Sequence, residues 1–261
     1  MSSLPAIFIS HGSPMLALEQ DAPAHHFLCR LAALFPRPQA ILAISAHWET
    51  SEPALSLAER PETIHDFRGF PPALFAMRYP APGAPALAHR AGELLAQAGI
   101  RAFGSADRGL DHGAWTPLTL AFPAADIPVT QLSVQPDRDA GWHARIGAAL
   151  RPLRDEGVLI LGSGSFTHNL MEMRYQAPDA PVPDWVNQFA DWMRGALLEG
   201  RQDAALDWLR QAPEARRNHP TTEHLLPLFV AMGAGTPGIP ARLLHSSTDR
   251  VILAMDAFAF D

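Results

Sequence analysis

The sequence predicts an α/β fold: one domain over residues 1–261, with a central, mostly parallel sheet flanked by helices and antiparallel strands added near the C-terminus. Three observations lead there. Short apolar strand-like runs alternate with amphipathic runs, which is the rhythm of βαβ units. The strand-like runs are apolar almost throughout, as in strands covered on both faces. The tail breaks the rhythm, because Arg242–His245 and Val251–Phe260 flank the polar turn Ser246-Ser247-Thr248-Asp249-Arg250 and read as an antiparallel addition at a sheet edge.

In chain order, the strand candidates are Ala6–Ile9, Ala40–Ile44, Ala54–Ala58, Arg101–Gly104, Ile127–Val134 and Val158–Leu161. Helical candidates lie at Leu18–Leu34, Pro85–Ala98, Ala140–Asp155, Asp184–Leu198 and Asp203–Gln211. In Ala140–Asp155, Trp142, Ile146, Leu150 and Leu153 recur near the 3.6-residue period, and Gly157 follows as a stop. Prolines crowd Pro61–Pro85 and again Pro178, Pro181 and Pro183, so loops there have fixed φ and are expected to shape a pocket over the sheet.

Composition narrows the function classes. The chain has 261 residues, 48% of them hydrophobic and 18% charged, enough for a sizeable core. Its formal charge is −7 and its basic residues are scattered, which argues against a nucleic-acid partner. No long apolar run suggests a membrane span, and Ala6–Ile9 reads as a first strand rather than part of a signal peptide. A soluble, cytoplasmic protein is expected. The single cysteine, Cys29, excludes an intrachain disulfide and reads as a small buried hydrophobe within Phe27-Leu28-Cys29-Arg30-Leu31.

Histidines carry the chemistry. His11, in Ser10-His11-Gly12-Ser13-Pro14, and His47, in Ser45-Ala46-His47-Trp48, each follow a strand-like run, and groups just past strand carboxyl ends line the ligand crevice of an open α/β sheet. Trp48 offers a wall for a planar ligand. His224 precedes an apolar segment running to Met232; Asn218 or His219 is a candidate cap, Pro227 either kinks the helix or marks its true start, and Glu223 reads as a first-turn carboxylate. Three imidazoles so placed suggest a metal site. His168 follows Gly162-Ser163-Gly164-Ser165, which lacks the order of a nucleotide loop; the glycines are read as room for a ligand, with His168 above it as acid or base. His112, in Asp111-His112-Gly113-Ala114-Trp115, reads as a loop residue that either faces substrate or serves structure, and His65-Asp66 as pocket wall or surface loop. His25, His26, His89, His143 and His245 read as exposed or satisfied residues.

The ordered strings His11-Gly12-Ser13-Pro14, Ser45-Ala46-His47-Trp48, Ile64-His65-Asp66-Phe67, Tyr79-Pro80-Ala81-Pro82-Gly83, Asp111-His112-Gly113-Ala114-Trp115, Thr167-His168-Asn169-Leu170 and Glu223-His224-Leu225-Leu226-Pro227 resemble the DOPA-dioxygenase type of class III extradiol ring-cleavage dioxygenases. The resemblance runs from about Ile7 to the C-terminus. It implies a metal held by His11, His47 and His224 at one edge of the sheet, His168 as the acid/base residue and His112 holding substrate or oxygen. It also implies a small aromatic diol and O2 as reactants. Non-haem Fe(II) is the expected metal, although such iron sites usually pair two histidines with a carboxylate, and three neutral imidazoles also suit Zn(II). Two alternatives share these residues: a zinc-dependent hydrolase, and a non-catalytic metal-containing binding module. For an amino-acid catechol, Arg68, Arg78 and Arg174 are the candidate positive partners.

Overall fold

The computed structural model describes residues 3–177 and 180–261. Eight strands make the central sheet: β1 (Ala6–Ser10), β2 (Ala40–Glu49), β3 (Ala54–Ser56), β4 (Phe103–Ser105), β5 (Val129–Val134), β6 (Val158–Gly164), β7 (Arg242–His245) and β10 (Ala257–Phe260). Between the last two, β8 (Thr248–Asp249) and β9 (Leu253–Ala254) pair as a separate antiparallel hairpin. Spatial order is β4-β3-β5-β2-β6-β1-β10-β7. The middle four strands, β5, β2, β6 and β1, are parallel.

Both ends of that parallel block meet an antiparallel partner. Strand β10 runs against β1 and β7 against β10, the addition expected of the tail. The expected Val251–Phe260 strand is, however, divided into β9 and β10. On the other side β3 runs against β5, which the alternation did not suggest. Only residues 50–53 separate β2 from β3, too few for the crossover of a dozen or more residues that a parallel return needs.

Side chains alternate between two cores. Ile7, Ile9, Ile41, Ala43, Leu159 and Leu161 face one layer, with the helices Pro23–Leu31 and His112–Ala121. Phe8, Leu42, Ile44 and Ile160 face the other, with the helices Pro85–Gln97, Ala140–Leu150, Asp184–Leu198 and Leu226–Ala234. Pro23 opens the first helix rather than interrupting a longer one, so the expected Leu18–Leu34 helix shortens. Its buried residues are Ala24, His25, Phe27, Leu28 and Leu31, which leaves Cys29 exposed instead of buried. The expected Asp203–Gln211 helix is two short ones, Gln202–Leu206 and Trp208–Gln211.

Helix Leu226–Ala234 begins where Pro227 sits in its first turn, so that proline marks the true start. Neither Asn218 nor His219 caps it. The helix lies against bare backbone: a Cβ at Gly162 would overlap the Pro227 carbonyl oxygen, and one at Gly164 that of His224. Gly147 and Gly233 give the same clearance between this helix and Ala140–Leu150. The glycines of Gly162-Ser163-Gly164 therefore admit a helix rather than a ligand. Among the described residues, no helix is long and apolar enough to cross a membrane.

Candidate metal and catalytic site

Five segments bring five histidine rings to the carboxyl end of the parallel block. His11 follows β1, its N–H donating to the Gly164 carbonyl at 2.9 Å, and Gly12 then turns the chain away at φ 64°. His47 lies inside β2 rather than beyond it, in the stretch where the register with β5 slips between Ile44 and Glu49. Such an irregularity re-aims a side chain. His224 stands just ahead of its helix, held by a bond from Ser165 N–H to its carbonyl at 2.8 Å.

The ligand atoms of His11, His47 and His224 all lie within 4.8 Å of one another. Hydrogen bonding sets which nitrogen faces the cluster. Ser163 Oγ donates to the Gly113 carbonyl at 2.5 Å and so accepts from His11 Nδ1–H at 3.1 Å. His224 Nδ1–H donates to Glu223 Oε1 at 2.8 Å. His47 Nδ1 faces Asp66 Oδ2 at 3.6 Å. His11 and His224 are thereby left with Nε2 as the outward nitrogen, and His47 turns its Nε2 to within 3.1 Å of His11 Nε2. Gly113 makes this crowding possible, since a Cβ there would meet Ser45 Oγ and come within 2.9 Å of His47 Cδ2.

Burial, reinforced by the neighbouring imidazoles, holds His11 and His224 well below the ordinary histidine pKa, and burial also lowers His47. Three neutral imidazoles with inward lone pairs are what a divalent cation requires, so the residues fit a bound metal. Glu223 is thus neither a first-turn residue nor a free carboxylate: it orients His224.

His112 is not in a loop but opens the helix His112–Ala121, capped by Asp111, whose side chain accepts from Ala114 N–H at 3.3 Å. Asp111 does not touch the His112 ring; it accepts instead from Ser45, Gln131 and Arg108. Asp66 receives the His112 backbone N–H at 3.0 Å and its Nδ1–H at 2.9 Å. Burial alone would raise the Asp66 carboxyl, but those bonds and the charge interaction with His112 bring it down to about 2. One ionised carboxylate therefore bridges His47 and His112. His168 stacks on His224 with ring centroids 3.5 Å apart and an 11° tilt, and its backbone N–H donates to the Asn218 carbonyl at 3.0 Å. Burial lowers it to about 4, so its ring is neutral near pH 7.

All five rings line one cavity of about 300 Å³, the small end of the range for ligand sites. Phe67 and Phe70, from the proline-rich stretch 61–85, form an aromatic wall, and Leu170, Met173 and Leu253 add apolar surface. The expected wall residue Trp48 is instead packed beneath Arg108, whose Cζ lies 5.1 Å from the ring. His65 turns aside to the Met77 carbonyl at 3.1 Å. Among the described residues of 175–183, none lines the cavity; Pro178 and Asp179 lie outside the described residues.

The arginines singled out from the sequence are elsewhere. Arg78 donates to the Phe75 and Met77 carbonyls, and neither Arg68 nor Arg174 is among the lining residues. The basic side chain that reaches the cavity is Arg250, on the tip of the β8–β9 hairpin, which sequence reasoning passed over as a turn. Ser163 and Asp66 were also not recognised as partners of the histidines. Their pairing with His11 spans 152 residues and with His112 spans 46, distances at which no local pattern signals contact.

Comparison with known proteins places this geometry in context. The family described as the catalytic LigB subunit of aromatic ring-opening dioxygenase matches residues 5–249. A protein of Beta vulgaris named 4,5-DOPA dioxygenase extradiol is 44% identical over 256 residues, covering 97% of this chain and 95% of its own. One of the same name from Escherichia coli (strain K12) is 41% identical over 234 residues, covering 88% and 85%. A crystal structure of an uncharacterized protein from Escherichia coli K12 superposes with a TM-score of 0.83 at 33% identity, covering 99% of this chain and 100% of that one.

Proposed function

The chain belongs to the LigB family of aromatic ring-opening dioxygenases and is a class III extradiol enzyme; on that premise we propose which residues do the work, and with which metal. An aromatic substrate and O2 are the reactants that the family implies. The hydrolase and binding-module alternatives are not favoured by these relatives.

His11, His47 and His224 hold the metal through Nε2. The observation that carries this is the convergence of three ligand atoms within 4.8 Å while a hydroxyl or carboxylate faces Nδ1 of each ring. The working ion is Fe(II), and Zn(II) suits the same three neutral nitrogens. When bound, iron supplies the Lewis acidity and redox chemistry that joins a catechol to O2 and opens the ring beside the diol.

The protein's own part is proton traffic and positioning. His168, neutral near pH 7 and lining the cavity, takes a proton from a catechol hydroxyl at its imidazole and returns it to the product. His112, whose Nδ1–H is committed to Asp66, keeps Nε2 as the acceptor that holds a substrate hydroxyl. Phe67 and Phe70 flank the aromatic ring and restrict water. The whole of residues 1–261 acts as one catalytic domain. A cytoplasmic location agrees with the single, exposed cysteine.

The test is oxygen consumption by protein reconstituted anaerobically with Fe(II), across a panel of catechols, beside a zinc-loaded control. Uptake with a yellow ring-opened product in the iron form alone is expected. No uptake by protein with verified full iron occupancy overturns Fe(II) as the working ion for those substrates.

A further inference from the structure

The cavity has two chemically different ends. Its floor is five imidazoles, its walls are largely apolar, and Arg250 is the one Lys or Arg among its lining residues. A purely hydrocarbon-substituted catechol gives that guanidinium nothing to do.

Arg250 is held there by unusual means. It takes φ 46° and Val251 takes φ 68°, two consecutive non-glycine residues in the left-handed region, one of them β-branched. Such backbone is costly and survives only where its surroundings over-determine it, often at ligand clamps. Here the surroundings are visible. Thr167 Oγ1 donates to the Ile252 carbonyl and accepts from Ala254 N–H, both at 2.7 Å, and the Ser10 hydroxyl is shared between the Asp256 carbonyl at 3.0 Å and the Ala254 carbonyl at 3.2 Å. Thr167 adjoins His168 and Ser10 adjoins His11. The hairpin is therefore tied at Ile252 and Ala254 to the residues that flank the histidine floor.

Arg250 is also poised rather than consumed. Glu19 accepts from Nη2 at 2.7 Å and Asp249 lies 3.5 Å from Nε, while the side chain remains 36% exposed. Among the described residues those partners leave Nη1 for a ligand. A charged N–H donor bonds a carboxylate more strongly than a neutral one does.

We propose that Arg250 is the anion-recognising, specificity-determining residue of this cavity, receiving the carboxylate of a substrate whose aromatic diol faces the histidine floor. The diol end of this assignment rests on the ring-opening reading above; the carboxylate end does not.

The experiment is equilibrium binding to the zinc-loaded protein, followed by tryptophan fluorescence, of two catechols of similar size: anionic 3,4-dihydroxyphenylacetate and neutral 4-methylcatechol. Wild type prefers the anion. Arg250→Gln cuts that preference roughly ten- to a hundredfold, the range for a lost charged hydrogen bond, and Arg250→Lys restores part of it. Glu19→Gln separates recognition from scaffolding: it breaks the same ion pair, yet keeps or increases the anion preference because Arg250 loses a competitor. Equal binding of the two probes by wild type, absence of binding of both, an unchanged ratio in Arg250→Gln, or a Glu19→Gln protein that behaves like Arg250→Gln would each overturn the proposal. Anion-selective binding by a protein whose fully iron-loaded form consumes no O2 upholds Arg250 and counts against the ring-opening assignment instead.

Discussion

The floor and the rim of the cavity are built on different principles. Of the five floor histidines, the three proposed to hold the metal sit just past β1, inside β2 near its carboxyl end and just ahead of a helix seated on β6, and each of these three has a partner facing Nδ1. Rim residues come from a proline-rich loop, a four-residue helix and a hairpin tip. The floor takes its precision from the sheet, as a metal site must, because a ligand misplaced by an ångström is no ligand. The rim decides what shape and charge may enter, and loops can do that without disturbing the sheet.

If that division is right, damage should scale with depth. The largest effect belongs to His47→Ala: bound metal falls by more than the roughly 10–100-fold that loss of an outer partner costs, and turnover goes with it. Elemental analysis of purified protein checks this, and full occupancy would remove His47 from the ligand set. Next comes His168→Ala, which keeps its metal and loses about 10²–10⁴-fold in kcat, the usual worth of a positioned acid/base group. Wild-type turnover in that variant would take the proton-transfer role away from His168. A smaller effect is expected of Asp66→Asn, which weakens support for both His47 and His112; metal affinity or activity should drop about 10–100-fold. Titration with a competing chelator would show it, and an unchanged affinity and rate would mean that the 3.6 Å approach to His47 and the bonds from His112 do not matter functionally. At the rim, Phe70→Ala should raise KM roughly three- to tenfold, from about 0.5–1.5 kcal/mol for a lost aromatic contact, while metal content stays full. Metal loss from that variant would erase the distinction between floor and rim.

The same division governs what could be read from the chain. His11 and His47 were legible because an apolar run leading into a histidine is a local signal, and the sheet converts that signal into a position. Pro227 likewise announced where the His224 helix begins. The helix His112–Ala121 was invisible for an opposite reason: almost every residue in it is buried and Pro117 lies within it, so no polar face marks a period. Cys29 was misjudged because its neighbours Phe27 and Leu28 belong to a face that it does not share. The partners of the histidines and the cation of the rim depend on chain segments that meet only in the folded molecule. Arg250 in particular stands 231 residues from Glu19, with which it pairs.

The seat of the His224 helix has a consequence for how such a site ages. Its distance from the sheet is main chain resting on main chain, at Gly162 and Gly164, and its distance from the neighbouring helix is set the same way at Gly147 and Gly233. Side chains all around it can drift from one apolar residue to another over many generations without moving His224. The spacing is inherited through four residues that have no side chain to change, and a single added methyl group at any of them would do what dozens of core substitutions would not.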